Sequence, residues 1–94
     1  MKPPVKIDGR VSAGGQPTEA DLAQLHADGV RTVINLRRPG EQNQPLDPAA
    51  EADAAKRAGL AYVNIPVDPK NLSAAQVDAV AQAIAASPGP VLVH

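Results

Sequence analysis

The apolar residues of this chain are spaced in two different ways, in segments that alternate along the sequence. Short runs rich in Val, Ile and Leu, at residues 30–36, 60–67 and 91–93, predict buried strands, because such side chains pack well on a pleated surface. Residues 18–28, 47–58 and 73–86 instead carry apolar side chains three and four positions apart, which predicts three helices. Because strands and helices alternate, the strands must be joined by crossovers, and the sequence predicts an α/β fold with a mainly parallel sheet.

Turn and capping residues mark the boundaries of these elements. Asp8-Gly9 lies between two short alternating segments and predicts an N-terminal β-hairpin. Each predicted helix is preceded by a residue that can accept hydrogen bonds from its first turn, and Gly29 and Gly59 are expected to end the first two helices. The expected capping residues are Thr18, Asp47 and Ser73. The whole chain, residues 1–94, is therefore predicted to be a single α/β domain of the three-layer type.

Composition limits both the core and the possible classes of function. The 94 residues include one Tyr but no Phe, Trp or Cys, so Val, Leu, Ile and Ala must fill the core. Without cysteine there is no disulfide and no cysteine-ligated zinc site, and the sequence predicts no other metal or cofactor. The formal charge of −1 provides no field for nucleic acid or an anionic membrane, and no apolar run approaches the roughly 20 residues of a membrane span. Because the first residues lack the apolar stretch of a signal peptide, a cytoplasmic location is expected.

Four candidate site residues follow predicted strand ends or the hairpin: Gln16, Arg37, Asp68 and His94. The carboxyl ends of parallel strands share one edge, so the last three are expected to lie on one side of the molecule. A guanidinium, a carboxyl group and an imidazole around a crevice suit an anionic ligand whose leaving group needs a proton. Ordinary structural roles stay open, since Arg37 could pair with Glu41 in solvent and Asp68 could simply open a turn.

Longer segments of the chain resemble a known family. These segments are residues 11–18 (VSAGGQPT), 21–25 (DLAQL), 29–37 (GVRTVINLR), 62–68 (YVNIPVD) and 89–94 (GPVLVH). Together they resemble the bacterial β-lactamase-hydrolase-like phosphatase family, also called DUF442, a branch of the cysteine-based dual-specificity and tyrosine phosphatases. The resemblance covers nearly the whole chain in order, and it implies a phosphatase-II-like fold.

The resemblance implies phosphoester hydrolysis through a phosphocysteine intermediate. The family signature is His-Cys-x5-Arg, and His94 matches its histidine, which orients the phosphate-binding loop and tunes the cysteine. Asp68 is the expected match to the general acid that protonates the departing oxygen. Gln16 and Arg37 are expected to bind the anion or to support the loop. The implied partner is a phosphorylated substrate or an inorganic anion.

The chain departs from the family at its last residue. The nucleophilic cysteine would follow His94, so the 94-residue chain is expected to be an incomplete domain, truncated before the signature loop and the C-terminal helices, and to be inactive alone. Two alternatives stay open, namely a non-catalytic module that binds an anion or a partner and a sulfur-transfer domain of the rhodanese type. Without the following helices, residues 91–93 are expected to expose apolar surface and to favour self-association through an uncovered sheet face.

Overall fold

Five strands and three helices make up the part of the chain described by the structure, a computed structural model, which comprises residues 4–7, 9–37, 48–67, 73–87 and 89–94. Their order is the expected one, a hairpin followed by helix and strand in alternation. The strands are β1 (Val5–Lys6), β2 (Val11–Ala13), β3 (Thr32–Asn35), β4 (Ala61–Asn64) and β5 (Val91–Val93). The helices are α1 (Glu19–Ala27), α2 (Pro48–Arg57) and α3 (Ala74–Ala86).

The strands form one sheet with the order β1-β2-β5-β3-β4. β1 and β2 pair antiparallel, as predicted for a hairpin, and the other three pairings are parallel. β5 occupies the middle of the sheet, where Val91 is in register with Val11 of β2 on one side and with Thr32 of β3 on the other. The predicted α/β fold, with a mainly parallel sheet and an N-terminal hairpin, is therefore confirmed.

One face of the sheet packs against α1 and α2. Successive side chains of a strand point to opposite faces, so Val33 of β3 and its register partner Leu92 of β5 project together. Both are completely buried in one hydrophobic cluster. The other buried members of this cluster are Leu22, Leu25, Ala54, Ala55 and Leu60. Because α2 contributes only alanine to the cluster, its backbone can approach the sheet closely.

The helix α3 lies on the opposite face. Ile34, which points away from Val33, is also completely buried. Two positions further along the same face, Leu36 lines a groove together with Val67 and the apolar stripe of α3. That stripe consists of Val77, Val80, Ala81 and Ile84. Helices thus lie on both faces of the sheet, which is the predicted three-layer arrangement. None of the described helices is both long enough and apolar enough to cross a bilayer.

Thr18 and Ser73 cap α1 and α3 as predicted. Each hydroxyl accepts a hydrogen bond from the backbone N–H three residues further on. The side chain of that third residue, Asp21 in α1 and Gln76 in α3, accepts in turn from the N–H of the capping residue. Both helices therefore begin with a complete capping box, which satisfies N–H groups that a helix leaves without internal partners.

The start of α2 and the stop signals of the first two helices also agree with the sequence. α2 begins at Pro48, whose missing N–H costs nothing in a first turn, whereas its expected cap, Asp47, lies outside the described residues. Gly29 and Gly59 follow α1 and α2 with φ of 100° and 84°. Side chains other than glycine rarely adopt such angles, and this explains the residue type at both positions.

The expectation that residues 91–93 expose apolar surface is wrong for two of the three. Val91 and Leu92 are 1% and 0% exposed, because β5 is the central strand and has helices on both faces. The C-terminal end of α3 is tied to this part of the sheet by Arg10, whose guanidinium donates to two carbonyl groups there. Apolar surface remains exposed instead on the hairpin and on α3, where Val77 is half-exposed.

Candidate functional site

The carboxyl ends of β2, β5 and β3 meet at one edge of the sheet. Beyond β2, the N–H of Gly14 donates to the carbonyl of Val93, with a nitrogen–oxygen distance of 3.0 Å. On the other side, His94 donates its N–H to Ile34 (3.0 Å), and the N–H of Leu36 donates to the carbonyl of His94 (2.8 Å). The ladder therefore continues past the strand ends and fixes the backbone of His94 between two neighbours.

The side chains of Gln16 and His94 meet at a third residue, Glu51 of α2. Glu51 Oε2 lies 2.7 Å from His94 Nε2, and Glu51 Oε1 accepts a hydrogen bond from Gln16 Nε2 at 2.5 Å. The Glu51 side chain is completely buried, and 1% of the His94 side chain is exposed. Two of the four predicted site residues thus converge on one buried carboxylate.

The sequence places these groups together through two different periodicities. His94 lies two positions after Leu92, so its side chain points to the same sheet face, where α2 packs. Glu51 lies one turn before Ala54 and Ala55, which are buried on the side of α2 that faces the sheet. The strand period of two and the helix period of 3.6 therefore bring the imidazole and the carboxylate into contact.

The hydrogen-bonding capacity of this cluster is only partly used among the described residues. The carboxylate of Glu51 accepts from both neighbours. Gln16 Oε1 and His94 Nδ1 are buried, and neither has a hydrogen-bond partner there. Because buried polar atoms in folded proteins nearly always have partners, these two atoms mark a place where a further polar group belongs.

Arg37 lies at the same edge, directly after the Leu36–His94 hydrogen bond. Its backbone N–H donates to Asn35 Oδ1 at 2.8 Å, and its carbonyl accepts from Asn64 Nδ2 at 3.1 Å. Asn35 is completely buried, and its Nδ2 lies 2.9 Å from the hydroxyl of Tyr62. The side-chain amides of two asparagines therefore fix the backbone where the chain leaves β3, and with it the position of the half-buried Arg37.

The fourth predicted site residue, Asp68, lies outside the described residues. Within the described ranges, no group of three or more His, Asp or Glu side chains could hold a metal ion. Glu51 was not predicted as a site residue. Its signal was present in the sequence, because Glu51, Ala54, Ala55 and Ala58 are spaced as one helical face on which a carboxylate is out of place.

Comparison with known proteins identifies the family. A family described as "Beta-lactamase hydrolase-like protein, phosphatase-like domain" matches residues 6–94. The chain belongs to this family. This confirms the resemblance carried by residues 11–18, 21–25, 29–37, 62–68 and 89–94.

Two relatives show how the phosphatase-like domain relates to whole proteins. The β-lactamase hydrolase-like protein of Xylella fastidiosa (strain Temecula1) is 43% identical over 91 residues, and that of Agrobacterium fabrum (strain C58) is 37% identical over 90 residues. Each match covers 96% of this chain and 21% of the relative. The chain therefore spans about a fifth of the length of the curated relatives it matches.

Solved structures share the fold of the phosphatase-like domain. A protein of Shewanella putrefaciens CN-32, described as "Putative phosphatase (DUF442)", is 29% identical, with a TM-score of 0.84 over 97% of this chain and 59% of that chain. P. aeruginosa TpbA, solved in complex with pTyr, is 18% identical, with a TM-score of 0.74 over 97% of this chain and 51% of that chain. The second likeness concerns the fold alone. The predicted phosphatase-like architecture is confirmed by both.

Proposed function

We propose that the domain to which this chain contributes is a cysteine-dependent phosphatase, in which His94 is the histidine of a His-Cys-x5-Arg signature. The observation that carries the proposal is the placement of His94, which directly follows the central strand of a phosphatase-like fold and has its imidazole held by a buried carboxylate. Membership of a phosphatase-like family supports the reaction class. A histidine fixed at this point would orient the residue that follows it.

The proposed reaction has two displacement steps at phosphorus. The thiolate of the cysteine after His94 attacks the phosphoester, so a sulfur–phosphorus bond forms as the bond to the leaving oxygen breaks. Asp68 gives its proton to that oxygen and then, as a base, takes one from water. The water oxygen attacks phosphorus, inorganic phosphate leaves, and the thiolate is restored. Gln16 and Arg37 would support the loop or bind the phosphoryl oxygens.

The proposal is tested with the full-length natural protein and an aryl phosphate. We expect turnover that is lost when the residue after His94 is changed to serine. Asp68→Asn should reduce kcat strongly for an alkyl phosphate and only slightly for a nitrophenyl phosphate, because a nitrophenolate leaves without protonation. The 94-residue chain has no cysteine and serves as the blank. An equal loss for both substrates would contradict the role of Asp68.

The same preparation distinguishes the alternative functions. A non-catalytic anion-binding module would show a melting temperature that rises with inorganic phosphate, without turnover, and Arg37→Ala would abolish that rise. A sulfur-transfer domain would consume thiosulfate in preference to the aryl phosphate. Either result would replace the phosphatase proposal.

A further inference from the structure

Glu51 lies on the alanine-lined, buried face of α2 with none of its surface exposed. Transfer of an ionised carboxylate from water to a protein interior is costly unless hydrogen bonds replace the lost hydration. Gln16 and His94 provide these hydrogen bonds, one to each carboxylate oxygen. Packing alone does not call for a carboxylate here, since the neighbouring positions of the same face are filled by alanine. The burial of Glu51 therefore suggests that its function is to bind and orient Gln16 and His94.

With Glu51 ionised and His94 neutral, the two contacts together define one arrangement of the hydrogen atoms. An ionised carboxylate can only accept, so His94 must present an N–H at Nε2. Gln16 must present its amide nitrogen, because its oxygen would face the negative charge of Glu51. A neutral histidine that is protonated at Nε2 has a lone pair at Nδ1. Nδ1 and the oxygen of Gln16 then become two buried acceptors, without donors among the described residues.

We propose that Glu51 is a positioning residue of this site. It holds His94 as the Nε2-protonated tautomer, so that Nδ1 accepts a hydrogen bond from an N–H or S–H group of the segment that follows the histidine. Gln16 binds the other oxygen of Glu51 and prevents the carboxylate from rotating away. This inference rests on the proposed function, in which the segment after His94 carries the nucleophile. Glu51 itself would not contact the substrate, because it is buried behind the imidazole.

The tautomer of His94 can be measured without any assay of activity. In the full-length protein labelled with ¹⁵N-histidine, NMR at neutral pH should show His94 protonated at Nε2 and unprotonated at Nδ1. The signals are assigned by their loss in a His94→Asn variant. Wild-type protein with the opposite tautomer would overturn the proposal, and this result does not depend on whether any Glu51 variant folds.

Variants then test the dependence on Glu51. In Glu51→Gln the new amide can either donate or accept, so the tautomer is no longer imposed and the Nδ1-protonated form should gain population. We expect kcat with an aryl phosphate to fall at least about tenfold while KM changes less than about twofold, as for loss of a group that orients a site residue. Glu51→Asp keeps the charge and should recover part of the loss.

Asp53→Asn is the matched control, because Asp53 is an exposed carboxylate on the same helix. It should leave both the tautomer and kcat unchanged. An active wild type whose Glu51→Gln variant retains the wild-type tautomer and kcat would contradict the inference. A wild type that hydrolyses no phosphoester would contradict the proposed function instead. In that case a tautomer change in Glu51→Gln would still support the positioning of His94 by Glu51.

Discussion

The helices on the two sheet faces begin with the same local signals but pack differently. α1 and α3 both start with a complete capping box. Leu22 and Leu25 of α1 are nevertheless buried in the main cluster, whereas no residue of α3 is buried. The face covered by α1 and α2 also holds Glu51 and the site. The apolar stripe of α3 lines an open groove instead.

This difference separates helix formation from helix packing. Capping and apolar periodicity determine where each helix begins and which side is apolar. The burial of that side depends on the surface opposite, and most helical stability in proteins comes from such packing. The α1–α2 layer should therefore carry most of the stability of the described fold, and α3 should tolerate substitution. The four predictions that follow test this contrast.

The largest expected effect is that of a core truncation on the α1–α2 side. Leu92→Ala removes a completely buried side chain from the cluster and should lower the free energy of unfolding by about 2–5 kcal/mol. Val77→Ala, on the half-exposed stripe of α3, should change it by no more than about 0.5 kcal/mol. Urea unfolding measures both free-energy changes, provided that the dependence of the free energy on urea concentration is the same in each variant. Equal losses would show that the two layers contribute alike.

The buried polar residues on the sheet face that packs against α1 and α2 should be the next most sensitive to substitution. Asn35→Ala removes a buried amide that accepts from the N–H of Arg37 and contacts the Tyr62 hydroxyl. We expect a loss of about 1–3 kcal/mol, together with faster hydrogen exchange of the Arg37 amide. Tyr62→Phe, which removes only the hydroxyl, is the matched control and should not affect that exchange. Unchanged exchange in Asn35→Ala would contradict the proposed positioning of Arg37 by Asn35.

The two caps should have similar strength at neutral pH but respond differently to acid. Thr18→Ala and Ser73→Ala should each cost about 1 kcal/mol. The hydrogen bond from the Thr18 N–H holds the pKa of Asp21 below its ordinary value of 3.8. Because the folded-state pKa is the lower one, this part of the cap is fully present above the ordinary value. It is lost as the pH falls through the folded-state value.

The α3 cap uses Gln76, which does not titrate in this range. Stability measured between pH 6 and pH 2 in the wild type and in Asp21→Asn isolates the difference. The substitution should remove part of the acid dependence, while Gln76→Ala should leave the slope unchanged. If the stability of Asp21→Asn fell with decreasing pH as steeply as that of the wild type, the α1 cap would be insensitive to pH.

The smallest effect on stability is expected on the exposed stripe of α3. Self-association of the 94-residue chain remains a prediction, now assigned to this stripe rather than to residues 91–93. Val77→Lys should leave the free energy of unfolding within about 0.5 kcal/mol and should lower the weight-average mass in sedimentation experiments. A monomeric mass and a cooperative melt for the wild-type chain would contradict self-association.

Much of the fold was predictable because its signals are local. The hairpin, the three helices, two of their caps and the glycine stops each depend on a few adjacent residues. The parallel sheet followed from the alternation of elements. The buried strand at residues 91–93 was predicted, but the exposure expected for Val91 and Leu92 without the following helices was wrong, because their burial depends on the order of strands in the sheet. A sequence pattern indicates a strand but not the two neighbours that cover it.

The candidate site was predictable only in part, for a similar reason. Arg37 and His94 could be chosen because strand ends in parallel sheets share an edge, and Gln16 because it lies in the loop after the hairpin. Glu51 can be assigned to the site only through its contact with His94, which lies 43 positions further along the chain. A periodic pattern can show that a carboxylate falls on an apolar face, but it cannot identify the imidazole that faces it. The part played by Asp68 remains a prediction.

The central position of β5 has a consequence for the order in which the molecule can be made. Val91 pairs with Val11 of the hairpin on one side and with Thr32 on the other, and the sheet order has no direct pairing between β2 and β3. During synthesis, the hairpin and the β3–β4 pair therefore cannot join into this sheet until Val91–Val93 has left the ribosome. Pairings between residues this far apart in the chain form slowly. The strand that precedes His94 is thus also the one that joins the two parts of the sheet, and in a nascent chain the contacts among Gln16, Glu51 and His94 should form in the same step as the five-stranded sheet.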